Sequence, residues 1–106
     1  LNEYSNKMDS SKPTLAVQVA DLFLALADPT RAHLLLALLR QEYRSGDLAQ
    51  QLAMTPSAVS HQLRWLRERG VIQTRKAGRE VYYSLADECI RRLLETAIGH
   101  IEERKP

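Results

Sequence analysis

The chain has 106 residues, 44% of them hydrophobic, which suits one packed core and is too short for two domains. No run approaches the ~20 apolar residues of a membrane-spanning helix, and a single cysteine excludes both an internal disulfide framework and a four-cysteine zinc site within one chain. Net charge is only +2, yet residues 56–85 hold Arg64, Arg67, Arg69, Arg75, Lys76 and Arg79 against Glu68 and Glu80, while the flanking segments are each slightly acidic. A positive middle third suits an anionic partner; the bland alternative is a solvated charged helix.

Residues 1–13 are mostly polar, lack periodicity and end in Lys12-Pro13. A disordered tail is expected there, with 14–106 forming one folded unit. The first residues lack the apolar segment of a secretory signal, so a cytoplasmic protein is expected. A domain this small buries limited surface alone, which makes oligomerisation a natural outcome.

A first helix is expected over 14–27, where Leu15, Val19, Leu22, Phe23 and Leu26 recur at spacings of three and four. Asp28-Pro29 stops it and starts a second over 29–41, because Asp is a good N-cap and Pro fits the first helical position. Leu34, Leu35, Leu36, Leu38 and Leu39 make this helix apolar on most faces, so it belongs near the centre of the core. A short third helix over 45–52, with Ser45 as its N-cap, leads through Ala53-Met54-Thr55 into a fourth. Thr55 caps that helix, Pro56 opens it, Ala58, Val59, Leu63 and Leu66 form its core stripe, and Gly70 ends it at about residue 69. Strands follow over 71–76 and 80–85, joined through Ala77-Gly78-Arg79. Asp87 then caps a last helix over 88–103 whose apolar face is Ile90, Leu93, Leu94, Ala97, Ile98 and Ile101. The expected fold is mainly α with a small β-hairpin, in the order α-α-α-α-β-β-α.

Two short helices joined by a tight turn, the second one capped, make a helix-turn-helix. Leu48, Leu52, Val59 and Leu63 brace the pair. The second helix offers Ser57, Ser60, His61 and Gln62 near its N-terminus as hydrogen-bonding groups for bases or phosphates, with Arg64 and Arg67 placed for phosphate. Around Gly78 the hairpin carries Arg75, Lys76 and Arg79, a basic wing able to follow a DNA backbone or enter a minor groove.

The segments ALADPTRAHLLLALL, GDLAQQLAMTPSAVSHQLRWLRERGVI and RKAGREVYYSL resemble the ArsR/SmtB family of winged-helix metal-sensing repressors over about residues 15–103. That resemblance implies a homodimer that binds a double-stranded DNA operator and is released by an inducer.

The last helix carries Asp87 and Cys89 at one end and His100 and Glu103 at the other. Residues 89 and 100 are separated by about 16 Å of helical rise, so they cannot share an ion within one chain. Antiparallel pairing of two such helices across a two-fold axis brings Asp87 and Cys89 of one chain to His100 and Glu103 of the other, giving two equivalent four-ligand sites. The resemblance implies the same positions as ligands, with Cys89 standing where the family pattern has a histidine. Zn2+ is the expected ion, with Ni2+, Co2+ and Cd2+ as alternatives. Each residue alone also has a structural explanation: Asp87 as an N-cap, Cys89 as a small buried hydrophobe, His100 as a complement to the helix dipole, Glu103 as a solvated acid. A thiolate cluster at the start of the third helix, which the family also uses, is excluded because residues 42–47 contain no cysteine. His33 reads as a helix-edge histidine, and Trp65 receives no functional role.

The leading expectation is a dimeric repressor released by metal. One alternative keeps DNA binding but has Cys89 sense oxidants or reactive sulfur, or has no inducer. Another, of a different class, is a winged-helix protein-interaction module, which an acidic or apolar recognition helix would mark. No nucleophile–base pair, phosphate loop or Gly-rich motif points to an enzyme.

Overall fold

The computed structural model describes residues 12–104. The expected tail therefore lies outside the described residues up to position 11, with Lys12 and Pro13 exposed beyond it. Four helices, α1 (Leu15–Leu26), α2 (Pro29–Arg40), α3 (Ser45–Gln51) and α4 (Pro56–Glu68), precede the strands β1 (Ile72–Ala77) and β2 (Glu80–Leu85) and the last helix α5 (Glu88–Glu103). This is a winged helix-turn-helix, in the order read from the sequence.

Side chains set most of the boundaries. Thr14, Asp28, Thr55 and Asp87 accept hydrogen bonds from the backbone N–H groups of Val17, Arg31, Ala58 and Ile90, capping α1, α2, α4 and α5. The expected cap of α3 is corrected: Ser45 is its first helical residue, and Arg44 holds the cap position without a side-chain cap bond. Arg44 instead donates to Asp47 at 2.8 Å and to Glu80 of β2 at 3.1 Å. Gly70 ends α4 at φ 72°, and Gly78 sits at φ 65° in the two-residue turn between the paired residues Ala77 and Glu80. Ala53, in the turn between α3 and α4, also has a positive φ, 55°, a conformation that costs a non-glycine residue free energy and that nothing in the local sequence announces.

Leu34, Leu35 and Leu38 of α2 are fully buried with Leu48 of α3, Val59, Leu63 and Leu66 of α4, and Val71. Ile72, Leu85, Ile90 and Leu94 close the core from the hairpin and α5. Leu36, at 41% exposure, faces out, so α2 is not apolar-buried all round. In α1 only Ala25 is buried, whereas Leu15, Val19 and Phe23 of its apolar stripe are exposed. Ile101, on α5, is likewise exposed.

Two arginines tie elements together over distance. Arg91 of α5 donates to the Leu39 carbonyl at 2.8 Å. Arg31 donates to the carbonyls of Leu24 and Ala25 at the end of α1, at 2.8 and 2.9 Å, and stacks on Trp65 of α4 with 4.1 Å to the ring centroid. Arg69 stacks on the same ring at 3.6 Å. Trp65 is thus a half-buried ring contacted by two guanidinium groups, and through Arg31 it ties α4 to the α1–α2 corner.

Candidate nucleic-acid interface

Helix α4 buries Val59, Leu63 and Leu66, so the opposite face is committed to solvent. Ser57, Ser60, His61, Arg64 and Arg67 are all exposed there. Gln62 is half-buried, set to the side of this face by its neighbours Val59 and Leu63. α3 packs against α4, and the turn that leaves α3 is closed by hydrogen bonds from Leu52 N–H to the Leu48 carbonyl at 3.0 Å and from Met54 N–H to the Ala49 carbonyl at 2.9 Å.

The hairpin stands beside α4. Lys76 and Arg79 are exposed at its outer end. Arg75 is engaged: its Nε donates to Glu42 Oε2 at 2.9 Å, its Nη2 donates to Glu42 Oε1, and its guanidinium lies 4.6 Å from the Tyr82 ring centroid. This hydrogen bond holds the Glu42 carboxyl below its usual range and pushes the Arg75 guanidinium up. Of the three wing cations expected from the sequence, two are therefore free of such a partner among the described residues.

The wing is anchored through residues 42–44. Tyr43 forms an antiparallel bridge with Tyr83, its N–H donating to the Tyr83 carbonyl at 3.0 Å and its carbonyl accepting from Tyr83 N–H at 2.7 Å. Glu42 holds β1 through Arg75, and Arg44 holds β2 through Glu80. Sequence reasoning missed this clamp, because its partners lie more than thirty residues apart and none has a motif.

Between α4 and the wing opens a cavity of about 530 Å³ lined by Ser60, Arg64, Arg67, Glu68 and Tyr83. It brings three of the expected DNA-facing residues together with two that the sequence did not single out. Tyr83 could have been found by strand alternation, which places it on the same side as the buried Leu85 and opposite Tyr82.

Helix α5 places its polar groups at two separate ends. Asp87 Oδ1 accepts from Ile90 N–H at 2.9 Å, leaving its second oxygen outside that bond. Cys89 is a free, exposed thiol with Arg92 Nη2 at 3.8 Å, so it is not a buried hydrophobe. His100 and Glu103 are exposed one turn apart at the other end. Among the described residues of one chain, no three His, Cys, Asp or Glu side chains converge as a metal site. No single described helix is long and apolar enough to cross a membrane.

A helix-turn-helix with an exposed polar and basic second helix, flanked by a cationic wing, defines a DNA-binding protein of the winged-helix class. Residues 28–74 match the family described as bacterial regulatory protein, arsR family. The chain is 48% identical over 88 residues to a Synechocystis transcriptional repressor SmtB homolog, covering 83% of this chain and 67% of that one. It is 37% identical over 105 residues to a Staphylococcus aureus cadmium resistance transcriptional regulatory protein CadC homolog, covering 94% and 87%. Its fold is similar to the homodimeric winged helix-turn-helix DNA-binding domain of Mb0332 from Mycobacterium bovis, with a TM-score of 0.82, 26% identity and coverage of 95% and 91%. The chain belongs to the ArsR family: it is a transcriptional regulator, not an enzyme.

Proposed function

We propose that the chain is a homodimeric repressor that binds a double-stranded DNA operator through α4 and the wing and leaves it when a metal ion, Zn2+ first among the candidates, binds between the two α5 helices. Ser57, Ser60, His61 and Gln62 read or position the DNA, and Arg64, Arg67, Lys76 and Arg79 neutralise phosphates. The family, the repressor named among its relatives and the exposed basic face support the DNA-binding half of this reading. Such binding places its work in the cytoplasm.

The metal half is carried by one observation: two exposed donor pairs stand at opposite ends of a single rigid helix. Asp87 with Cys89, and His100 with Glu103, are too far apart to meet within a chain, and a two-fold axis relating antiparallel α5 helices supplies the missing half of each site. The donor set fits a zinc-like ion, since one thiolate, one imidazole and two carboxylates are ligands that such an ion accepts. When bound, the ion contributes a crosslink between the last helices of the two protomers. Exposed Leu15, Val19 and Phe23 of α1 and Ile101 of α5 supply apolar surface for the same two-fold interface, and the homodimeric relative favours it. Release then requires that the crosslinked dimer hold its recognition helices at a spacing other than the ~34 Å between successive major-groove faces. By linkage, DNA must weaken metal binding by the same factor.

The test is titration of the purified dimer with Zn2+ while following its binding to a duplex selected from a randomised pool. Two Zn2+ per dimer and a fall in DNA affinity are expected. Co2+ should give a thiolate charge-transfer band that Cys89→Ser lacks, and proton release should accompany binding. The exposed thiol beside Arg92 favours a second reading, in which Cys89 responds to oxidants or reactive sulfur. A Co2+ complex without the thiolate band, together with peroxide-induced loss of DNA binding in metal-free protein, would select it. A Cys89–Cys89 disulfide within a folded dimer would exclude the antiparallel arrangement, which keeps those thiols about 16 Å apart.

A further inference from the structure

Ser60, Arg64 and Arg67 on α4 and Tyr83 on β2 line one cavity of about 530 Å³. Arginine is suited to phosphate, because its planar fork presents several donors in fixed geometry. Arg64 and Arg67 are in no ion pair among the described residues, whereas Arg44, Arg75 and Arg91 each have an acidic partner. Two cations on the helix side thus remain available, and Glu68 is the one acid in the lining.

Tyr83 sits opposite them on backbone that is unusually well fixed for a wing. It pairs with Thr74 across the hairpin and also exchanges both backbone hydrogen bonds with Tyr43, at 3.0 and 2.7 Å. Its neighbour Tyr82 takes the other face of the hairpin, where Arg75 stacks on it. The Tyr83 ring packs against the core and is half-buried, an arrangement that leaves a tyrosine's polar tip for water or a ligand. No protein group among the described residues hydrogen-bonds its hydroxyl. Tyr83 therefore lines the same solvent-open gap as two guanidinium groups that are in no ion pair among the described residues.

We propose that Tyr83 is a DNA-backbone contact: its hydroxyl donates a hydrogen bond to the phosphate that Arg64 and Arg67 neutralise, with the Ser60 hydroxyl as a further donor. The cavity is then a phosphate cradle that joins the recognition helix to the wing, and one DNA phosphate spans both. This rests on the DNA-binding reading above and adds a contact within it. Because the Tyr83 backbone is already fixed, little ordering cost opposes the contact.

Tyr83→Phe tests it, since the ring is kept and only the donor is lost. Binding to the selected duplex is measured by anisotropy between about 50 and 200 mM salt. The expected result is about tenfold weaker binding at every salt concentration. The slope of log affinity against log salt should not change, because a neutral donor releases no counterion. Arg67→Ala, by contrast, should flatten the slope, by up to about 0.9 for each half-site of the dimer. Duplexes carrying single methylphosphonates should reveal one position in each half-site whose neutralisation weakens the wild-type protein, with a smaller effect in Tyr83→Phe. Wild-type affinity in Tyr83→Phe, a loss accompanied by a changed slope, or methylphosphonate effects identical in the two proteins would each overturn the proposal. The methylphosphonate scan on wild-type protein decides the matter even where the variant folds poorly: no sensitive phosphate beside the contacts of both α4 and the wing means no cradle. Wild-type protein that binds no duplex even at low salt would instead overturn the DNA-binding reading itself.

Discussion

Helices α4 and α5 are built alike and complete different things. Each is opened by a side-chain cap, Thr55 for α4 and Asp87 for α5, and each keeps one apolar face and one polar face. The polar face of α4 meets the wing of its own chain, so Ser60, Arg64, Arg67 and Tyr83 share a cavity within a single molecule. Among the described residues the polar groups of α5 reach the rest of their own chain only through Arg91, which donates to the Leu39 carbonyl; Cys89 touches Arg92, Asp87 caps the helix, and His100 and Glu103 have no hydrogen-bond or ion-pair partner. A reading face can be finished by one protomer; an effector site split between the two ends of one helix needs a partner. Under this reading the second site is a sensor of dimer geometry, which is the quantity a two-half-site operator also measures.

The sharpest way to break that comparison is to remove the partner. Ile98 is half-buried on α5, between the core residue Leu94 and the exposed Ile101. Ile98→Glu should give a folded monomer by sedimentation and circular dichroism. Its affinity for a two-half-site duplex should fall by about a hundredfold or more, since the link that makes the second half-site intramolecular is lost. A folded monomer that still binds the full site tightly would show that the DNA face needs no dimer.

Mixing two damaged proteins tests the split site. Cys89→Ser and His100→Ala homodimers should each lose both tight Zn2+ sites. In a mixed dimer one interface site lacks both ligands and the other lacks neither, so mixing should restore one tight site per mixed dimer. The Co2+ thiolate band should return in proportion. No recovery on mixing, with exchange of subunits verified, would mean that Cys89 and His100 do not act across the two-fold.

Loss of a single phosphate contact is a smaller effect. Arg64→Ala and Arg79→Ala should each weaken binding by several-fold near 0.1 M salt and flatten the salt slope by about 0.9 per half-site, about 1.8 for the dimer on a full site. Unchanged slopes in both would remove the helix-and-wing face as the DNA contact.

The sequence was most legible where the physics is local. Asp28-Pro29 and Thr55-Pro56 mark helix starts because cap and first-turn proline are neighbours, and Gly70 and Gly78 mark their turns because each has a positive φ. The apolar stripe of α1 was visible as a period, but only packing shows that Ala25 is buried while Leu15, Val19 and Phe23 face out. What escaped was non-local. Arg31 reaches Trp65 across more than thirty positions, Tyr43 pairs with Tyr83, and Arg44, at the cap position of α3, sends its side chain to Asp47 and Glu80. Of the candidate site, residue types and spacing were readable; the convergence of Tyr83 with the α4 arginines was not, because it depends on where the 42–44 segment docks the wing.

The smallest expected effect tests that docking. Glu42 is bound to Arg75 through both carboxylate oxygens, and this hydrogen bond lowers the Glu42 pKa from its ordinary 4.5. A carboxylate with a lowered folded-state pKa contributes stability that is present above the unfolded value and is lost as pH falls through the lowered one. The stability difference between wild type and Glu42→Gln should therefore be constant near neutrality and shrink as pH drops below 4.5. Both partners are substantially exposed, so the difference is small and should diminish further in high salt. DNA binding gives the opposite sign. With Glu42 neutral, Arg75 becomes a third available cation on each wing, and the salt slope should steepen by up to about 0.9 per half-site, with a modest gain in affinity for mixed-sequence duplex. A flatter slope and weaker binding would show instead that the Glu42–Arg75 pair is needed to hold the wing against the recognition helix, and that the Tyr43–Tyr83 bridge alone does not anchor it.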